Sequence, residues 1–155
     1  KKIKYMFPKA HAAAYVMMAF RIAYFKVHYP AEFYMAYYTV RADLFDAAIM
    51  AKGKDKVVQE MKKIKIKGSS ATANEKNLLT ILELCHEMYE RGIEFGSVSL
   101  YKSHPYKFSK EDGKIIPPLN AFAGVGTNAA EAIAKAREDG GFMSKEDLKA
   151  RAGII

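Results

Sequence analysis

Cysteine is almost missing from this chain. Cys85 is the only one in 155 residues, so no intrachain disulfide can form and no cysteine set can hold zinc. A lone thiol fits a reducing compartment, and a cytoplasmic location is expected. Carboxylates are also scarce, 17 Asp and Glu against 25 Lys and Arg, with none before Glu32. Asp43, Asp46, Asp55, Asp112, Asp139 and Asp147 are scattered and fall mostly at caps and turns. A two-metal centre needs clustered carboxylates, so neither a catalytic residue nor a metal ligand is expected in this chain. His86-Glu87 opens a zinc-protease motif, but Glu90 stands where the second histidine belongs. The longest apolar run, AAAYVMMAFRIAYF at residues 12–25, is broken by Arg21 and is too short to span a bilayer. No membrane partner is expected. The basic start is not a signal peptide, since no small-residue cleavage site ends the apolar run. Internal repeats and low-complexity tracts are absent. The chain begins without Met and ends without a tail, so a piece of a longer polypeptide is expected.

What is present is apolar and basic. Half the residues are hydrophobic, enough for one domain or two small ones. The net charge of +8 favours an anionic partner: nucleic acid, an acidic protein or a membrane surface. The charge is uneven. Residues 1–31 carry Lys1, Lys2, Lys4, Lys9, Arg21 and Lys26, and KGKDKVVQEMKKIKIK at 52–67 holds seven lysines against Asp55 and Glu60. A lysine run of this kind is either a solvated helix face or a polyanion surface.

The spacing predicts a mainly α fold. Pro8 opens a helix over about 9–28 that stops before Pro30 and is apolar on nearly every side, so other elements should cover it. A second helix follows in AEFYMAYYTVRA. A third should start at Asp43 as N-cap and end at Gly53. Val57, Val58, Met61 and Ile64 set a fourth. Thr72-Ala73-Asn74-Glu75 reads as a capping box for a fifth, with Leu78, Leu82, Cys85 and Tyr89 on one stripe. Residues 96–118 read as a partly β linker: GSVSLY alternates, and a Glu111-Asp112-Gly113 turn precedes KIIPP. Helix returns from about Thr127 to Glu138, and a last short one starts at Ser144.

Two stretches carry possible chemistry. LNAFAGVGTNAAEAI at 119–133 pairs Gly124 with Gly126 before a helix. A dinucleotide fingerprint needs a third glycine, where Ala129 stands, and a P-loop needs Gly-Lys-Ser/Thr, which is absent. A plain chain-reversal corner also uses Gly-x-Gly. The wider frame of Leu119, Phe122, Gly124, Val125, Gly126, Ala130 and Ile133 fits a helix-hairpin-helix. In that motif the glycines give the turn positive φ, and the backbone N–H groups opening the second helix take a phosphate. Thr127 and Asn128 can add side-chain hydrogen bonds, and Lys135 and Arg137 add charge nearby. Further back, Lys9 and His11 lie in the first turn of the first helix, with Tyr15 on the same face. Cationic groups at a positive helix end suit a bound anion, here a triphosphate with its base against Tyr15. The residues by themselves favour the plainer arrangement, in which Lys9 is solvated, His11 caps or packs, and Tyr15 is core.

These stretches, in this order, resemble the bacterial replicative DNA polymerases of family C, closest to their Gram-positive PolC branch. The resemblance rests on Tyr5-Met6-Phe7-Pro8-Lys9-Ala10-His11-Ala12-Ala13-Ala14-Tyr15, on Tyr29-Pro30-Ala31-Glu32-Phe33-Tyr34, and on Ile116-Pro117-Pro118 through Gly124-Val125-Gly126-Thr127-Asn128-Ala129-Ala130. Lys135-Ala136-Arg137-Glu138 and Ser144-Lys145-Glu146-Asp147-Leu148 complete it, so it covers nearly the whole chain. It implies that residues 1–95 end a helical fingers domain, 96–118 link, and 119–155 begin a helix-hairpin-helix duplex-binding segment. It places Lys9, His11 and Tyr15 at the incoming dNTP, and Gly124, Val125, Gly126 and Thr127 at a phosphate of duplex DNA. Its remaining partners would be the palm, the sliding clamp and the rest of the replisome. The Mg²⁺ ions and catalytic aspartates of the parent enzyme would lie in that palm, so this piece holds no cofactor and alone is inactive. The alternatives are a non-enzymatic helix-hairpin-helix module of a repair or recombination protein, and a helical scaffold for an acidic protein.

Overall fold

The computed structural model describes residues 8–41 and 44–154. The chain falls into two compact units, one up to Tyr34 and one from Met35 onward. The first holds α1 (Lys9–His28) and the start of α2 (Pro30–Val40). Pro8, with φ −58° and ψ 141°, stands at the N-cap, where a missing N–H costs nothing. Tyr29 ends α1, its N–H donating to the Phe25 carbonyl at 2.8 Å, just before Pro30. The expected covering of α1 is not seen. No residue of the helix is buried, and Tyr15 and Phe20 are 66% and 73% exposed. The reason is size: one long helix and part of another cannot enclose a helix whose apolar groups lie all round its axis.

The second unit has its own core. Predicted N-cap Asp43 lies outside the described residues. The cap in use is Asp46, whose Oδ1 accepts the Ala48 N–H at 2.8 Å and opens the one-turn α3 (Ala47–Met50). Gly53, at φ +100°, does not end that helix but serves as N-cap of α4 (Lys54–Lys67). The capping box before α5 (Ala73–Glu90) forms as predicted: Thr72 Oγ1 accepts the Glu75 N–H, and Glu75 Oε2 accepts the Thr72 N–H. α4 and α5 pack antiparallel. Val57 and Ile64 are buried from one, and Ile81, Leu82, Cys85 and Met88 from the other. Tyr89, on the predicted stripe, is half-buried and donates its hydroxyl to the Met50 carbonyl at 2.7 Å. Burial raises the Cys85 thiol to about 12, so it is an inert part of the core.

An aromatic knot of Tyr38, Phe45, Phe95 and Phe108 joins the end of α2 to a small hairpin. That hairpin pairs β1 (Ser109–Glu111) antiparallel with β2 (Lys114–Ile116), Glu111 opposite Lys114. Asp112 and Gly113 both have positive φ, the turn geometry that matches strand twist. GSVSLY does not form a strand. The Ser103 N–H donates to the Ser99 carbonyl, and the Ser99 N–H returns to the Ser103 hydroxyl, both at 2.9 Å, closing a tight loop.

After Pro117 and Pro118 comes a 3₁₀ turn, Leu119–Ala121, then α6 (Thr127–Ala136) and α7 (Lys145–Ala152). The predicted helix end at Glu138 falls in a 3₁₀ turn, Arg137–Asp139, that extends α6. Leu119, Ala130, Ile133, Ala136 and Ala152 make a second small core, with Val98, Leu100, Val125 and Leu148 against it. The fold is mainly α. Among the described residues no helix is long and apolar enough to cross a membrane, and no group of metal-binding side chains occurs.

Candidate nucleic-acid interface

The hairpin turn is built around one glycine at positive φ and one with an ordinary backbone. The Val125 N–H donates to the Phe122 carbonyl at 3.1 Å, closing a four-residue turn. Gly124 is third in it, at φ +87°, where a side chain would be strained. The sequence expectation of positive φ at both glycines fails at Gly126. It has φ −73° and ψ 165° because it is the N-cap of α6, a position that takes extended backbone. A Cβ at Gly126 would meet nothing within 4 Å. Neither backbone strain nor internal packing therefore explains the glycine. Val125 turns its side chain into the small core, while Gly124, Gly126, Thr127 and Asn128 are exposed.

The Ala130 N–H makes the first intrahelical bond of α6, to the Gly126 carbonyl at 2.9 Å. The N–H groups of Thr127, Asn128 and Ala129 precede it and have no acceptor within the helix. No side chain caps them, and the first turn holds no acid. The neighbouring helices differ. α5 has its Thr72–Glu75 box, α7 has Ser144 with Glu146 and Asp147, and α4 has Asp55 in its first turn. Among these four, only α6 presents its positive end without an internal carboxylate or hydroxyl. Such an end carries roughly half an elementary charge and suits an oxyanion. An open groove of about 860 Å³ runs beside the turn, bordered by Asn74, Leu78 and residues 120–126.

The charged residues divide. Lys135 is exposed but lies eight residues past Thr127, about 12 Å along the axis. It shares a face with Asn128, seven residues earlier, and stands well away from the turn itself. Arg137 is spent inside the protein: its Nη1 donates to the carbonyls of Leu100 at 3.0 Å and Ser103 at 2.8 Å. Arg151 is likewise internal, bonded to the carbonyls of Ala136, Gly140 and Gly141 and stacked over Phe142. Of the seven lysines at 52–67, four are paired: Lys54 with Glu90, Lys63 with Glu60, Lys65 with Glu83 and Lys67 with Glu75. The Lys67 ammonium also holds the Glu75 carboxyl below its usual range. Three of these pairs stitch α4 to α5, and Lys63–Glu60 lies within α4.

In the first unit, the rings of His11 and Tyr15 lie 4.5 Å apart between centroids, as i,i+4 spacing predicts. Lys9 begins the helix, which has no side-chain cap and no acid in its first turn. Sequence reasoning missed Asn120, whose Nδ2 reaches Thr127 Oγ1 at 3.5 Å across the turn, and the internal use of Arg137. Contacts through space of this kind leave no periodic signal.

Comparison with known proteins places this geometry. Residues 92–154 match the family described as a helix-hairpin-helix motif. Over 154 residues, 99% of the chain, it is 58% identical to "DNA polymerase III PolC-type" of Oceanobacillus iheyensis, 56% to that of Listeria monocytogenes and 53% to that of Clostridium perfringens. The chain spans about 11% of the length of each of these relatives.

Proposed function

We infer that the chain is one segment of a PolC-type DNA polymerase III and that it holds the backbone of duplex DNA during template-directed synthesis. The observation that carries this reading is the start of α6, an uncapped helix end behind a glycine that nothing inside the protein requires. Backbone N–H groups of residues 127–129 take one phosphate, and Lys135 takes a neighbouring one. Contacts of this type fix position and carry no base information. Binding should therefore ignore sequence and weaken with salt. The test is titration of two unrelated duplexes into the full-length polypeptide and into a Gly126→Glu variant. Equal affinities for both duplexes and a clear loss in the variant are expected. Unchanged binding by the variant overturns the reading.

The same inference motivates a role for α1 in seating the incoming dNTP, with Lys9 on the phosphates and His11 and Tyr15 toward the base. What supports it is the uncapped start of α1 beside a lysine and a paired imidazole and phenol. Nucleotidyl transfer itself would use Mg²⁺ and aspartates of the palm, outside this chain, and the sliding clamp and replisome would be partners of the whole enzyme. In that enzyme Lys9→Ala should raise the KM for dNTP or lower kcat, and steady-state kinetics with unchanged constants would remove Lys9 from the site.

A further inference from the structure

Arg137 is a cation close to a phosphate-binding motif that does not face the phosphate. Ten residues separate it from Thr127, about 15 Å along the helix axis. Its guanidinium is bound to two backbone carbonyls, those of Leu100 and Ser103. Ser103 is fully buried, and its loop is closed on itself through Ser99. Carbonyl groups in such a place need a donor, and Arg137 supplies it.

The chain then leaves this loop directly toward the hairpin. The His104 carbonyl accepts the Leu119 N–H and the Pro105 carbonyl accepts the Asn120 N–H, each at 3.0 Å. The Asn120 amide in turn reaches the Thr127 hydroxyl at the first residue of α6. A closed circuit results: from the end of α6 through Arg137 to residues 100–105, on to the 3₁₀ turn, and back to the start of α6. Leu100 and Leu119 also pack with Ala130 and Ile133 in the same small core.

We propose that Arg137 is a positioning residue for the phosphate grip, locking residues 99–105 against the hairpin so that the three free N–H groups of α6 are held at one angle. This rests on the reading of α6 as a phosphate grip. The residues before the hairpin are then part of its binding apparatus rather than a spacer.

The test compares wild type, Arg137→Gln, Arg137→Lys, Gly126→Glu and the Arg137→Gln/Gly126→Glu double variant in the full-length polypeptide. Duplex affinity is measured against salt, and amide hydrogen exchange is followed by mass spectrometry. Arg137→Gln is expected to bind about tenfold more weakly. Its log–log salt slope should be unchanged, because the side chain touches no phosphate. Exchange should accelerate in residues 99–105 and 119–133 but not in α4 or α5. Arg137→Lys should restore part of the affinity, since one ammonium can serve both carbonyls. In the Gly126→Glu background Arg137→Gln should add no further loss, as expected of residues acting through one element. A slope lowered by about one with exchange unchanged would make Arg137 a phosphate contact and overturn the proposal. So would wild-type affinity in Arg137→Gln, or fully additive losses. If Gly126→Glu alone leaves binding intact, the phosphate grip itself fails, and this role for Arg137 with it. If Arg137→Gln leaves the exchange of residues 119–133 unchanged, only the positioning role fails.

Discussion

Two glycines two residues apart do different work. Gly124 is there for its own chain, because its φ of +87° suits a residue without a Cβ. Gly126 has an ordinary backbone and open space beside it, so on the proposed reading its small size would serve a bound phosphate. The contrast predicts opposite outcomes. Gly124→Ala should destabilise the fold by roughly 1–2 kcal/mol, read as a lower denaturant midpoint. Gly126→Ser should leave the fold intact or gain a few tenths of a kcal/mol, because serine is the better N-cap. It should nonetheless weaken duplex binding, since the new hydroxyl takes the N–H groups meant for phosphate. A serine variant that binds as well as wild type would show that the helix end is not the contact.

At the scale of elements, the loop before the hairpin carries a proton-sensitive joint. His104 Nδ1 accepts the N–H groups of Tyr106 at 3.1 Å and Lys107 at 3.0 Å. Burial lowers its pKa, and the Lys107 and Arg137 cations add to this against a smaller opposite pull from Glu131. The folded value thus lies below the unfolded one. The stability it contributes is complete above the ordinary histidine range of about 6.5 and is lost as pH falls through the folded value. The protection of the Tyr106 and Lys107 amides, corrected for the intrinsic exchange rate, should fall as pH drops below about 6.5, and His104→Gln should flatten that dependence. Little of this joint was legible beforehand. Helices α1, α4 and α5 could be read because period and capping are local: Thr72 and Glu75 are three residues apart. The hairpin frame could be read for the same reason. GSVSLY misled because its alternation serves a loop closed by side chains. The bonds from Arg137 to Leu100 and Ser103 join residues more than thirty apart, which no pattern announces.

At the scale of the whole chain, fewer cations are open to direct contact than the 25 Lys and Arg suggest. Four lysines of α4 are paired, and Arg137 and Arg151 are turned inward. Lys56 and Lys62, on α4, would act at long range, on encounter with duplex rather than on the bound state. Lys56→Glu with Lys62→Glu lowers the net charge by four, from +8 to +4. Stopped-flow mixing with duplex should show a slower association rate at low salt and an unchanged dissociation rate. A faster dissociation would instead put α4 in the contact. Cys85 offers a different use of the same fold. It is the one thiol in the chain, buried on α5, with its Sγ 4.0 Å from the Met50 carbonyl at the end of α3. A thiol so protonated and enclosed reacts with a label only after the packing around it opens. The sequence therefore carries its own clock: the rate at which Cys85 takes up reagent times the opening of the core around α5, with no probe added.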